Sequence, residues 1–202
     1  MRIFSALLAI SFLSACATAP TPAPDAPPQP TATSSAAPPT ENAPPASTCA
    51  GPIQNPPPGL EPLDEPAPSF AIGAPGKGSL CEGKVFSVKQ SVTVYRVFTA
   101  DFQTAKKAGP TGAYWTLEMP SGSKDNYRTN YEICAEWNDL DMLNTCKVNV
   151  GAKVVIGPGQ SADCDSGTKY PQSASNQVLI VKEQDGKVPV SDCKSAPMSW
   201  AP

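Results

Sequence analysis

Seven cysteines are the residues most able to do chemistry in this 202-residue chain: Cys16, Cys49, Cys81, Cys134, Cys146, Cys164 and Cys193. Thiolates act as nucleophiles or bind zinc, and zinc sites are built on closely spaced cysteine pairs. Here at least eleven residues separate any two cysteines, so disulfides are expected and no metal site is. There is no histidine. That removes His-based triads and His-ligated metals, and leaves a serine hydroxyl without an imidazole to deprotonate it. The loop from Gly73 to Gly78 carries Lys77 but lacks the Gly-Lys-Ser/Thr of a phosphate-cradling loop. Asp139 with Asp141 falls in a loop and Glu183 with Asp185 flanks a turn, so neither is read as an acid–base pair.

The elements that could position such groups lie in the C-terminal part. Eighteen of the 25 prolines fall between Pro20 and Pro75, in a Pro/Ala/Thr/Ser-rich stretch. Proline fixes φ and removes a donor, and the apolar content there is too low to offset ordering. Residues 16–75 are therefore expected to be a disordered linker with polyproline II character, reaching about 170 Å at most. Cys49 is the exception, expected to pin its neighbourhood onto the folded part. The net charge of −3 and absence of a basic block give no footprint for nucleic acid.

Residues 76–202 are expected to form one small, strand-dominated α+β domain. Val85–Val88 and Ser91–Phe98 read as strands, with Val92, Val94 and Arg96 on one face. Gly112–Leu117 reads as another, with Tyr114 and Trp115 on opposite faces. Ser123 is a fitting N-cap for a helix carrying Tyr127, Tyr131, Cys134 and Ala135 at helical spacing, with Arg128 solvated. Cys146–Val150, Lys153–Ile156 and Asn176–Val181 complete the strands, and Lys187–Val190 suits an edge because Pro189 cannot donate. If Cys16 is set apart, six cysteines remain, and six allow 15 pairings.

At the N-terminus, Arg2 precedes a short apolar run that ends in Leu13-Ser14-Ala15-Cys16. This resembles the lipobox of bacterial lipoproteins. The resemblance implies a signal peptide over residues 1–15 and lipidation of Cys16 as the first mature residue. Ala17 resembles the outer-membrane sorting pattern, so a partner membrane reached through Cys16 is expected. An ordinary cleaved signal with Cys16 incidental is the alternative.

A second resemblance runs through Val94-Tyr95-Arg96-Val97, Gly112-Ala113-Tyr114-Trp115-Thr116, Tyr127-Arg128, Glu136-Trp137-Asn138, Ile156-Gly157-Pro158-Gly159 and Asn176-Gln177. The pattern resembles ADP-ribosyltransferase-like domains of bacterial polymorphic toxins, of the NAD glycohydrolase type of the tuberculosis necrotizing toxin. It implies an ADP-ribosyltransferase-like fold with NAD as substrate and no required cofactor. Arg96 would grip the NAD phosphates or ribose, and Tyr114, Trp115 and Thr116 would line the nicotinamide pocket. Gln177 falls where transferases carry a catalytic Glu, which argues for hydrolysis over transfer. A different class of function stays open: a non-catalytic envelope lipoprotein that binds, inhibits or confers immunity against an envelope or secreted protein. In the enzyme, Arg96, Gln177 and Tyr114 or Trp115 must line one cleft; in the binder they scatter.

Overall fold

The alternating segments fold as two packed antiparallel sheets in the structure, a computed structural model that describes residues 48–202. The lipobox with Cys16, and the proline-rich stretch up to residue 47, lie outside the described residues. In chain order the strands are β1 (Leu60–Pro66), β2 (Lys84–Val88), β3 (Thr93–Phe98), β4 (Tyr114–Trp115), β5 (Met142–Val148) and β6 (Lys153–Gly159). They continue as β7 (Ala162–Asp163), β8 (Lys169–Tyr170), β9 (Ser173–Ile180) and β10 (Val190–Pro197). Two short helices interrupt them, α1 (Phe102–Ala105) and α2 (Lys124–Asn130). The larger sheet has the order β1-β2-β6-β9-β4, the smaller one β10-β5-β3, and β7 pairs with β8. This is a small α+β domain dominated by strands.

Successive strand residues point to opposite faces, and the larger sheet buries both of its faces. Phe86, Val88, Val154, Ile156, Val178 and Ile180 face the smaller sheet's Val94 and Val148, with Trp115 among them. Val85, Val155 and Leu179 point the other way and pack under Ala71 and Leu80. Each such side chain contributes roughly 1.5–3 kcal/mol on burial, so β6, buried from Val154 to Gly159, is the spine of the domain. Although β5 and β6 are consecutive, they belong to different sheets. Gly151, at φ +88°, makes the turn between them.

Where the chain was expected to be linker to Pro75, the order begins earlier. Leu60–Pro66 pairs with β2 alone, so Pro62 and Pro66 sit on an edge, where a residue without N–H breaks no ladder bond. Ahead of it, Asn176 Nδ2 donates to Pro52 O at 3.1 Å, and Gln54 N–H donates to Asn176 Oδ1 at 3.0 Å. Other expectations shift: β5 begins at Met142 rather than Cys146, and the last edge strand is Val190–Pro197, beyond Pro189. Gly112–Leu117 contributes only two strand residues. The helix stops at Asn130, because Glu132 adopts φ +49° and turns the chain. Its start is as expected: Ser123 Oγ accepts from Asn126 N–H at 3.2 Å.

All six cysteines among the described residues pair: Cys49–Cys81, Cys134–Cys164 and Cys146–Cys193. Cys49–Cys81 closes a 32-residue separation around β1. Replacing both cysteines by alanine should cost about 2–4 kcal/mol. Guanidinium unfolding would show this as a lower midpoint, and an unchanged midpoint would mean that β1 is held by its ladder alone.

Candidate functional site

Val92, just before β3, and Val94 within it enter the core, and Arg96, next on that face, reaches the end of the sandwich. There its guanidinium lies on the backbone of Gly112, where a Cβ would collide with it. Arg96 Nε donates to Gly109 O at 2.8 Å and Nη1 to Tyr114 O at 2.6 Å. The group thus staples the loop that leads into β4. Burial lowers its pKa to about 10, with the Tyr127 phenol acting in the opposite sense; it stays cationic at neutral pH.

The two sheets meet at this point. Tyr95 N–H donates to Thr116 O at 2.9 Å, and Thr116 N–H returns to Tyr95 O at 2.8 Å. This bridge sets Thr116 beside Arg96. Trp115 is 2% exposed, packs in the main core and donates Nε1–H to Gly112 O at 2.7 Å. Tyr114, on the opposite face and half-buried, shares a hydrogen bond with Ser79. The next strand inward, β9, contributes Gln177 opposite Gly157.

These elements enclose a cavity of about 360 Å³ whose lining includes Arg96, Tyr114, Trp115, Thr116, Gln177 and Glu132. The five residues singled out from the sequence, spread over 82 positions, border one space. The exposed Lys77 and Trp137 also border it, the indole lying against Gly78. Arg128 does not join them and is not solvated as expected. Its Nη1 donates to Ile133 O at 3.1 Å and Nη2 to Asn138 O at 2.8 Å, holding the loop after α2.

Glu132 had no signature in the sequence. In the fold it is 1% exposed, because the left-handed turn after α2 drives it inward against Gly159, where any Cβ would collide with its carboxyl group. Oε2 accepts from Gln177 Nε2–H at 2.9 Å, and Oε1 has no partner. Burial pushes its pKa up to about 9, with Ser173 and Gln177 on β9 acting in the opposite sense. Beside it, burial also raises the Tyr131 phenol to about 12, and the Tyr127 phenol is raised by burial as well. The cavity therefore combines a cationic rim with a carboxyl group that is neutral at pH 7.

Among the described residues, one other cluster brings ligand-type atoms together. Cys134, Glu136 and Cys164 place theirs within 4.8 Å of one another. Both sulfurs are joined in a disulfide, so neither is a thiolate, and Glu136 Oε1 accepts from Asp165 N–H at 2.6 Å.

No protein-family model matches the chain, and no curated protein sequence does. Among solved structures, a chain from the complex of Tne2 with Tni2 is similar at 12% identity and a TM-score of 0.43. The match covers 59% of this chain and 95% of that one. Neither figure is high enough to carry a function across.

The buried acid has a measurable cost. In the unfolded chain Glu132 ionises near its ordinary 4.5, whereas in the fold it holds its proton to about 9. Between those values the unfolded chain has lost a proton that the folded one keeps, so stability falls as pH rises through that window. The slope approaches 1.4 kcal/mol per pH unit, about one pKa unit's worth. Glu132→Gln should therefore melt several degrees above the unmutated protein at pH 8 and together with it at pH 4. Equal melting temperatures at both pH values would mean that Glu132 ionises normally.

Proposed function

We propose that this protein is an envelope lipoprotein whose folded domain hydrolyses the nicotinamide–ribose bond of NAD. One observation supports the reading above the others: Arg96, Tyr114, Trp115, Thr116 and Gln177 border a single cavity, although nothing local in the sequence forces them together. Its volume falls in the range of about 300–1,000 Å³ usual for small-molecule sites, towards the small end. That suits the nicotinamide riboside half of a dinucleotide, with the remainder lying outwards past Lys77 and Trp137.

The chemistry asked of the chain is modest. The C1′–N bond breaks and nicotinamide leaves neutral. A water oxygen bonds to C1′ and its proton passes to solvent. Arg96 and Lys77 supply positive charge for the pyrophosphate, and the guanidinium N–H groups not bonded to the carbonyls of Gly109 and Tyr114 are the donors left for it. The aromatic walls hold the ring. Gln177 cannot stabilise an oxocarbenium-like centre as a carboxylate would, so its part is to orient the ribose hydroxyls or the water. The site needs neither metal nor cofactor for these steps.

A second reading has its own observation. Two of the guanidinium's donors are already spent on the carbonyls of Gly109 and Tyr114, and Trp115 is packed into the core. Both suit a non-catalytic module that meets a protein partner through its surface.

The mature protein, residues 16–202 in detergent, should release nicotinamide from NAD between pH 5 and 8. Gln177→Ala should lower turnover by about 100-fold, the scale of a misplaced substrate. Lys77→Ala should raise KM several-fold with kcat nearly unchanged, and added salt should narrow that difference. No nicotinamide release by the unmutated protein would leave the binding module standing.

The anchor has a separate test. Mass spectrometry of the cell-derived protein should find Cys16 as the first residue, carrying acyl groups. A mature chain that retains residues 1–15, or an unmodified Cys16, would exclude lipidation.

A further inference from the structure

The amide of Gln177 is oriented by its neighbours. Its nitrogen donates to Glu132 Oε2 at 2.9 Å and reaches towards Tyr131 O at 3.5 Å. A backbone carbonyl can only accept, so the nitrogen must occupy that side. The amide oxygen is then on the other side, and it accepts nothing among the described residues. Since Glu132 Oε1 is the one fully buried polar side-chain atom without a partner there, Gln177 Oε1 retains access to the cavity. An acceptor-only group in that position selects hydroxyls or water and repels phosphate and carboxylate oxygens.

Glu132 is an expensive residue for its place. A carboxyl group with one orphan oxygen, 1% exposed and on a left-handed backbone, works against the fold on each count. An apolar side chain would fill the same space at lower cost, and Gly159 has no side chain where the carboxyl group rests. Strain and burial concentrated beside a cavity point to a role in that cavity.

We propose that Glu132 is the positioning residue of this site, holding the Gln177 amide so that its oxygen is presented to the hydroxyl groups of a bound ribose. The catalytic consequence rests on the NAD-cleaving reading; the orientation of Gln177 does not. The groups around Glu132 define what ionisation would do. Ser173 and Gln177 face it from β9 and Gly159 from β6, while Tyr131 precedes it and stays neutral until strongly alkaline pH. Glu118 acts on Tyr131 from the other side. Arg96 and Lys77 share the cavity, yet neither forms an ion pair with Glu132 among the described residues. An ionised Glu132 therefore has no counter-charge, must move towards water, and takes the partner of Gln177 with it.

The test compares the mature protein with Glu132→Gln and Glu132→Ala. Glu132→Ala should lower kcat about 10-fold or more with KM within about twofold, as loss of orientation without loss of binding. Glu132→Gln can still accept from Gln177 through its carbonyl oxygen and should recover most of that turnover. The unmutated protein should lose activity through an alkaline limb near 9, and Glu132→Gln should not. NMR of the Gln177 side-chain amide supplies a readout independent of activity. Its resonances should titrate near 9 in the unmutated protein, should not titrate in Glu132→Gln, and should collapse towards free-amide positions in Glu132→Ala. Should the unmutated protein prove inactive, the NAD reading falls, and a titrating Gln177 amide still upholds the positioning. An amide indifferent to pH and to both substitutions overturns it, as does full turnover by Glu132→Ala.

Discussion

Two backbone hydrogen bonds between Tyr95 and Thr116 tie the smaller sheet to the larger one, and the cavity exists because of them. β4 is only two residues long and could not hold the loop from Gly109 by its own ladder to β9. Secured on its other side by β3, it becomes a wall. Arg96 then braces the same loop from beneath through the carbonyls of Gly109 and Tyr114. One strand thus supplies the joint, the brace and a lining cation within two successive residues. Both side chains border the cavity, and Tyr95 also packs against the cluster that contains Tyr127, Leu140 and Leu143.

The polar groups at this junction are stabilised as a set. Tyr127 packs at a tilt against Tyr131 with ring centroids 4.6 Å apart and lies 5.1 Å from Trp200, which donates its indole N–H to Leu140 O. That aromatic block closes the far side of the cavity and raises the cost of any charge within it. Burial is the leading cause for Glu132, Tyr131, Tyr127 and Arg96 alike, and each is shifted towards its neutral form. A low-dielectric chamber with a few fixed dipoles makes each remaining polar contact count for more than it would in water.

Much of this was legible in the residues. Short β-branched and apolar segments located β2, β3, β6 and β9, the Ser123 cap located the start of α2, and an even set of six cysteines foretold the bridges without their pairing. The unread parts share a cause, which is that the deciding contact lies far away in the chain. β1 was hidden by Pro62 and Pro66, which are acceptable only because no strand lies beyond it. Arg128 read as solvated because the carbonyls it binds belong to a loop that folds back over it. Glu132 carried no signature, because its burial follows from a left-handed turn that no periodicity encodes. The loop Gly73–Gly78, correctly read as lacking a P-loop pattern, still delivers Lys77 and Ser79 to the cavity by a route local spacing cannot express.

The position of the disulfides relative to this junction gives the architecture its logic. Cys134–Cys164 fixes the chain two residues after Glu132, and Cys49–Cys81 closes the segment that leads into β2, with Gln172 Nε2 3.3 Å from Cys81 Sγ. The same Gln172 donates to Gln160, just beyond Gly159, on which the buried carboxyl group rests. Two covalent links therefore bracket the strand ends that hold the least favourable residue in the molecule. Each link contributes about 2–4 kcal/mol, comparable to the burden of one unpaired buried acid. A domain of this size without those bridges would be expected to lose Glu132 to solvent before it lost its sheets. Cross-linking is what allows so small a sandwich to keep a strained polar centre at its end.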